Sequence, residues 1–325
     1  MLYTILLILV PLSLFCRQRT YDHIRENQEA PYVPWFTGTA LAPSAVNAPP
    51  GHPVAASVTS FSATYGMYED NWRLRKIETT WAINPFFELF VGVNDLIGID
   101  IYASFISNFK KGQNSTHLQD TIFLLGFQIA KDIPRTWIPD IRFLIQETIP
   151  TGNYQKLNPK KLGIDSTGQG SFQTGFNIVA QKLFPMEGNF LLLKWTVGYL
   201  FPAPTRVKGL NTYGGGPGTL GKVFPGQTLM LYFSGEYSLN QNLVLAFDSF
   251  FEYQGESTFS GKLGSNSSGV KNLVGTPPAI QISVAPQVEY NFSGRSGVIF
   301  GVWSTVFGKN STAFATAIGG YYIAF

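Results

Sequence analysis

From Val54 onward, apolar and polar residues alternate with a period of two, which is the spacing of a β-strand with one apolar and one polar face. In residues 97–109, isoleucines and phenylalanines take odd positions, and Asp100 is among the polar residues at even positions. Residues 243–254 and 280–290 repeat the pattern. One such strand is common in soluble proteins, but many in one chain favour a membrane barrel, whose outer face is apolar and whose lumen is polar.

The alternating segments are long enough to cross a bilayer at the usual strand tilt, and we predict about twelve of them. Residues 72–93 are long for one regular strand, and Asn84 and Pro85 interrupt them. Because proline removes a ladder hydrogen bond, we predict one strand with a bulge at this dipeptide, with two short strands as the alternative. The predicted strands are residues 54–66, 72–93, 97–109, 118–131, 138–150, 170–183, 189–201, 227–238, 242–254, 278–291, 297–307 and 313–325.

The connections between these strands alternate in length when they are read backward from Phe325. Short turns such as PMEGN (185–189) alternate with long loops such as NTYGGGPGTLGK (211–222). The brief connection at 308–312 is the exception. Outer-membrane barrels have short periplasmic turns and longer external loops. The C-terminus is therefore predicted to face the periplasm.

The last thirteen residues, AFATAIGGYYIAF, end on the aromatic side chain of Phe325. Chain ends are usually polar and frayed unless something ties them down. This ending resembles the closing strand of a bacterial outer-membrane barrel, which the barrel-assembly machinery reads. The predicted fold class is all-β, a transmembrane antiparallel β-barrel formed by residues 54–325, in the outer membrane of a Gram-negative bacterium.

The residues that precede the barrel divide into two parts. Residues 1–16 are apolar, have the length of a signal-peptide core and predict an export signal, although no Lys or Arg precedes the apolar run. Residues 17–53 contain six prolines, which do not fit inside a sheet or helix, so we predict a periplasmic lead-in or a plug in the barrel mouth. Cys16 is the only cysteine, which excludes an intrachain disulfide.

The composition supports a membrane barrel and excludes several other classes. Only 13% of the residues are charged, too few to coat a water-soluble surface, and 15% are aromatic. A mean hydropathy of +0.07, with no long apolar run after residue 16, excludes a helical membrane bundle. The net charge of +3 is not clustered, so no nucleic acid is expected as a partner. The expected partners are outer-membrane lipid and lipopolysaccharide, the assembly machinery and a small-molecule solute.

No cofactor, metal or catalytic site is predicted. The three histidines, His23, His52 and His117, lie far apart without the spacing of metal ligands, and we interpret them as solvated loop residues. A barrel hydrolase needs a nucleophile with a histidine partner, and only His117 lies next to a predicted strand. We therefore do not expect an enzyme.

The strand register assigns twelve ionisable residues to the lumen, nine acidic and three basic. Rings of carboxylates favour cations in a pore, so a weak cation preference is predicted. The alternative is that these groups form ion-paired networks inside a closed barrel. Besides Lys76 and Glu78, the lumen-lining residues are Glu88, Asp100, Asp120, Asp140, Arg142, Lys194, Glu236, Asp248, Glu252 and Glu289.

Several segments resemble outer-membrane transporters related to the phenol-degradation meta-pathway channel family. The resemblance rests on LIQETIPTGNYQKLNPKKLGIDSTGQGSFQTGFNIVAQKLF, on ISVAPQVEYNFSGRSGVIFGVW and on the terminal strand, and its most specific matches are Pro150, Thr151 and Gly152 and residues 168–171. It covers roughly residues 31–325 and implies an outer-membrane barrel for small, often hydrophobic molecules. It transfers no substrate-binding residue to this chain.

These observations predict a porin-like channel or passive transporter for small solutes, hydrophobic ones among them. The alternative is a structural or adhesive surface barrel that acts through its outer loops.

Overall fold

The computed structural model describes residue 32, residues 34–266 and residues 268–325. The predicted export signal at residues 1–16, Cys16 and His23 lie outside the described residues. A short 3₁₀ turn spans Pro159–Lys161, and no helix in the described part of the chain is long and apolar enough to cross a membrane. The strands are β1 (Val54–Tyr68), β2 (Leu74–Gly92), β3 (Ile97–Lys110), β4 (Gln113–Leu118), β5 (Thr121–Ala130), β6 (Asp140–Ile149), β7 (Gln173–Pro185), β8 (Phe190–Pro202), β9 (Thr205–Lys208), β10 (Leu220–Phe224), β11 (Thr228–Ser238), β12 (Leu243–Gln254), β13 (Thr258–Lys262), β14 (Ala279–Ser293), β15 (Ser296–Lys309) and β16 (Ser311–Ala324).

Twelve strands form one closed antiparallel barrel, as the alternating pattern predicts. The order around the barrel is β1, β2, β3, β5, β6, β7, β8, β11, β12, β14, β15 and β16. The barrel closes where β1 pairs with β16, from Val54 opposite Ala324 to Tyr68 opposite Ser311. The predicted all-β fold and strand number are confirmed.

The exterior of the barrel is apolar and its interior is largely polar. Large hydrophobic side chains such as Phe87, Val197 and Phe300 are exposed, while polar neighbours such as Asp100 and Asp248 are buried. Water-soluble proteins rarely expose so much apolar surface. The alternation therefore places the apolar face where lipid would surround it.

The two ends of the barrel differ in the length of their connections. One end, which we call the short-turn end, holds the C-terminus and the connections 93–96, 131–139, 186–189, 239–242 and 294–295. The opposite end, the long-loop end, holds three loops of more than twenty residues, 150–172, 203–227 and 255–278.

The bulge in the second strand lies elsewhere than predicted. β2 is one strand, and its pairing with β1 runs without a shift through Asn84 and Pro85. The register shifts instead where Tyr65 faces residues 77–79. The ladder to β3 lapses at Asn84 and Pro85, and the Asn84 Nδ2 donates to the Phe105 carbonyl over 2.5 Å. Because this side chain supplies a donor where proline has none, the strand needs no extra residue there.

Four further strands lie where the sequence predicts loops. β4 pairs with the outer half of β3, from Phe105 opposite Leu118 to Lys110 opposite Gln113. Strands β9, β10 and β13 form a separate sheet at the long-loop end, which we call the outer sheet. Leu118, which is predicted to begin a barrel strand within residues 118–131, thus belongs to β4, and β5 begins at Thr121.

Candidate functional site

The barrel encloses an inner cavity with a volume of about 600 Å³. Its wall is mostly apolar and aromatic, although Glu88, Lys194 and Glu236 also line it. All three are among the residues that the sequence assigns to the lumen. The aromatic wall residues include Phe86, Phe90, Tyr102, Tyr232, Phe250, Trp303 and Tyr322.

Residues 34–49, which we call the interior segment, run inside the barrel and form part of the cavity wall. Ala45 is fully buried, and just after the segment Pro50 forms a bridge with Gly92 at the end of β2. A Cβ at Gly92 would lie 1.9 Å from the Ala48 carbonyl oxygen. Glycine is therefore required where the segment approaches the barrel backbone.

Side chains of β11, β12 and β14 accept hydrogen bonds from backbone N–H groups of the interior segment. The donors and acceptors are Thr37 N and Glu289 Oε2 (2.9 Å), Gly38 N and Glu236 Oε1 (3.2 Å), Ala40 N and Gln287 Oε1 (2.9 Å), and Leu41 N and Asp248 Oδ2 (3.1 Å). Because this segment has no continuous strand partner, these side chains satisfy donors that would otherwise be buried without partners.

Gln128 of β5 holds the other end of the interior segment. Its Oε1 accepts from the Asn47 N–H over 3.0 Å, and its Nε2 donates to the Ala45 carbonyl over 3.0 Å. The same amide also donates to the carbonyls of Ala130 and Ile141. The segment is thus fixed to opposite sides of the barrel.

Asp100 and Arg142 form a buried bidentate ion pair across β5. The Arg142 Nη1 and Nη2 each lie 2.8 Å from a carboxylate oxygen of Asp100, and Nη1 also donates to the Ser44 carbonyl over 3.3 Å. Gly126 of the intervening strand makes room for the guanidinium, since a Cβ there would lie 2.3 Å from the Arg142 Nε. Arg142 therefore has its counter-charge inside the wall, although its Nε has no hydrogen-bond partner among the described residues.

A smaller cavity of about 230 Å³ lies toward the long-loop end, and we call it the outer cavity. Glu252 and Gln254 of β12 line it, and so does Tyr213 of the long loops. Met230 lines both cavities, so the two adjoin along the barrel.

Asp120 lies in the connection from β4 to β5, at the long-loop rim rather than on the barrel wall. Its Oδ1 accepts from the Gly152 N–H over 2.9 Å, and its Oδ2 accepts from the Gln169 N–H over 2.7 Å. Burial raises the pKa of Asp120, and the two N–H bonds act in the opposite direction. A Cβ at Gly152 would lie 2.7 Å from the Gly168 Cα. The two most specific matches of the family resemblance therefore meet at this carboxylate.

Asp140 lies at the short-turn end, where β6 begins. It is buried, and it accepts from the Asp132 N–H over 2.9 Å and from the Gln181 Nε2 over 3.2 Å. Next to it, Lys182 forms an ion pair with Asp132 and donates to the Ile133 carbonyl. These contacts fix the turn at the base of the wall.

Two residues that hold the interior segment, Gln128 and Gln287, are not among the predicted lumen residues. Both lie at inward positions of predicted strands, but the predicted lumen set contains only ionisable residues. The same alternation of apolar and polar positions that assigns the carboxylates to the lumen also assigns these two glutamines to it. Lys182 has outward parity, and only the fold of the turn at 131–139 explains its burial.

The two described histidines lie away from both cavity walls. His52 Nδ1 lies 2.9 Å from the Phe325 carbonyl oxygen, and His117 is exposed on β4. Among residues 34–266 and 268–325, no group of three His, Cys, Asp or Glu side chains is placed to hold a metal ion.

A closed twelve-stranded antiparallel barrel with an apolar exterior defines the fold class of outer-membrane β-barrels. The chain is similar in structure to an outer membrane channel from Pseudomonas putida F1, with a TM-score of 0.64 and 12% sequence identity. The match covers 88% of this chain and 100% of that chain. The fold implied by the sequence resemblance is thereby confirmed.

Other solved barrels are less similar in structure. The translocator domain of the autotransporter NalP from Neisseria meningitidis has a TM-score of 0.44 at 9% identity, over 84% of this chain and 88% of that chain. A mutant of the TodX monoaromatic hydrocarbon channel has a TM-score of 0.38 at 11% identity, over 86% of this chain and 91% of that chain. No protein-family model and no curated protein sequence matches the chain.

Proposed function

We propose that this protein is a channel of the bacterial outer membrane that passes small solutes, hydrophobic ones among them. The observation that carries the proposal is the pair of adjoining cavities inside a closed barrel. Solute sites are usually concave and mostly apolar, with a few placed polar groups. The inner cavity has this character, because aromatic side chains surround Glu88, Lys194 and Glu236.

In this proposal the interior segment is a plug. Residues 34–49 occupy the lumen toward the short-turn end, where their acceptors Glu236 and Glu289 are located. The segment is held by side chains of the wall rather than by a ladder of backbone bonds. It can therefore move without any barrel strand losing a neighbour. Its movement would widen the passage between the inner cavity and the short-turn end, where Arg295 and Ala324 already line the cavity.

The proposed orientation follows from the connections. The short-turn end faces the periplasm, and the long loops face the medium, as the general plan of such barrels suggests. The closing strand, β16, is the segment that we propose the barrel-assembly machinery recognises.

Liposome swelling with solutes of graded size and polarity tests the proposed function. The full chain, reconstituted in vesicles, should let in small solutes, admit apolar-bodied ones faster than sugars of the same size, and exclude large sugars. Circular dichroism of the same sample checks that the barrel is folded. A folded barrel that admits no solute and carries no ionic current would reject the channel and favour a surface barrel that acts through its outer loops.

A further inference from the structure

We propose that the inner cavity binds small organic amines, with the ammonium group at Glu88 and the apolar body among the surrounding aromatic side chains. The inference rests on the proposed channel function and names a class of solute for it.

Glu88 lies in a row of inward positions that crosses four neighbouring strands. Strand pairing places Ala56 and Tyr102 opposite Glu88, and Tyr322 opposite Ala56. Opposite residues have Cβ atoms about 5 Å apart, so only the methyl group of Ala56 lies between Glu88 and Tyr322 in this row. Glu88 is 8% exposed, and it lines the inner cavity. Its carboxylate is thus accessible from the cavity and from little else.

The carboxylate of Glu88 has no donor or cation beside it among the described residues. A buried carboxylate without a partner is costly. Other inward acids near this cavity have partners within the chain: Asp100 pairs with Arg142, Asp248 accepts from the Leu41 N–H, and one oxygen of Glu289 accepts from the Thr37 N–H. The partner of Glu88 therefore has to come from the contents of the cavity.

Aromatic side chains surround this carboxylate. Phe86 and Phe90 lie two residues before and after Glu88, on the same face of β2, and Phe90 meets Tyr102 edge to face with ring centroids 5.8 Å apart. Trp303 lines the same cavity. Aromatic faces attract an ammonium group in addition to their contact with apolar carbon. A carboxylate set among aromatic rings fits an organic cation better than it fits an anion or a neutral solute.

The cations of the cavity wall do not compete for Glu88. Lys194 projects from β8, on the opposite side of the barrel, and its neighbouring strand β11 carries Glu236. Arg295 lies in the turn between β14 and β15 and is exposed. Within the described part of the chain, a carboxylate solute would therefore find no counter-charge beside Glu88.

Three probes of similar size and different charge test the site: benzylamine, benzyl alcohol and benzoate. Calorimetric titration of the purified full chain at pH 7 should show that benzylammonium binds more tightly than benzyl alcohol and that benzoate does not bind. Glu88→Gln keeps the size of the side chain and removes its charge. It should weaken benzylammonium binding by about tenfold or more, because a charge-assisted contact is lost, and leave benzyl alcohol unchanged.

Glu252→Gln is the matched control, since Glu252 is an inward acid that lines the outer cavity. It should leave benzylammonium binding unchanged. Equal losses in the two variants, or none in Glu88→Gln, would overturn the site. If Glu88→Gln does not fold, Glu88→Asp keeps the charge at a shorter reach, and it should retain part of the affinity and all of the preference over benzoate.

Current through planar bilayers separates this inference from the function on which it rests. A barrel that conducts without binding benzylammonium keeps the channel and rejects the amine site. Glu88-dependent binding by a barrel that never conducts keeps the site and rejects the channel.

The outer sheet carries basic side chains on one of its faces, and this observation supports a second inference. Strand pairing puts Lys222 beside Arg206, and Leu220 beside both Lys208 and Lys262. All five side chains are exposed. The opposite face is buried, with Val207 and Val223 packed against Tyr213, which lines the outer cavity. The basic face therefore points away from the lumen.

We infer that this face binds the phosphate groups of lipopolysaccharide in the leaflet around the barrel. A funnel for anionic solutes would need its cations on the lumen side, where the sheet is apolar. Arginine and lysine next to exposed apolar groups such as Leu220 and Phe224 suit a surface of phosphorylated sugars above acyl chains. This inference rests on the proposed outer-membrane location.

Lipopolysaccharide retained by the full chain during detergent purification tests this face. The variant Lys208→Gln, Lys222→Gln, Lys262→Gln should retain severalfold less than wild type. The control Lys156→Gln, Lys160→Gln, Lys271→Gln removes the same charge from the long loops outside the outer sheet and should retain the wild-type amount. Equal retention by both variants, or equal retention of dephosphorylated lipopolysaccharide by wild type, would overturn the inference.

Discussion

At the scale of single residues, the interior of the barrel contains charged side chains with an ion-pair partner and others without one. Alternation alone predicts that Asp100 and Arg142 face inward, but it does not predict that they meet. Their contact needs Gly126 between them, and no periodicity marks that residue as special. Glu88 has the same parity as Asp100 and no partner in the described chain, a difference that only the three-dimensional arrangement reveals.

The ion pair predicts a large effect of a small change. Asp100→Asn leaves Arg142 buried without a counter-charge and should lower the free energy of unfolding by about 3–5 kcal/mol. Urea unfolding in lipid vesicles, followed by tryptophan fluorescence, measures this loss. Asp120→Asn is the control, since Asp120 ties loops at the rim, and a smaller loss is expected. A loss below about 1 kcal/mol in Asp100→Asn would show that the pair is solvated.

At the scale of elements, long strands are predictable from sequence and the elements between them are not. The barrel strands follow the alternation closely, because one face must be apolar along the whole length. The strands β9, β10 and β13 have four or five residues each, and their pattern is too short to distinguish from a loop. The proline content of residues 17–53 excludes a sheet or helix there but does not give a path, which depends on acceptors from distant strands.

The hydrogen bonds that hold the interior segment predict how the open time of the channel can be lengthened. Gln128→Ala, Gln287→Ala removes the acceptors of Asn47 and Ala40, and it should increase the open time of single channels severalfold. Planar-bilayer recording of the full chain measures it. Gln281→Ala is the control, because Gln281 donates to Thr312 at the long-loop end, away from the segment. Unchanged gating in the double variant would mean that the segment does not limit the current.

At the scale of the whole molecule, the inward charges are mostly acidic. The ion pair of Asp100 and Arg142 cancels one charge of each sign, and Lys194 lies opposite Ser234 and one strand from Glu236. Carboxylates such as Glu88 and Glu252 remain facing the two cavities. This balance follows from the sequence as soon as the strand register is known.

The balance predicts a weak preference for potassium over chloride. Reversal potentials in a potassium chloride gradient across a planar bilayer measure it. The double variant Glu88→Gln, Glu252→Gln should reduce the preference, because it neutralises the free carboxylates of both cavities. A preference for chloride in the wild type would show that other charges control the pore.

The interior segment directly precedes β1, and β1 is also the strand that receives β16 to complete the circle. The first and last parts of the chain thus have to be brought together around residues 34–49. During biogenesis this stretch must either be enclosed as the sheet curls or thread in afterwards through the short-turn end. Because the stretch continues into β1 at Val54, it already lies beside the seam when the last strand pairs.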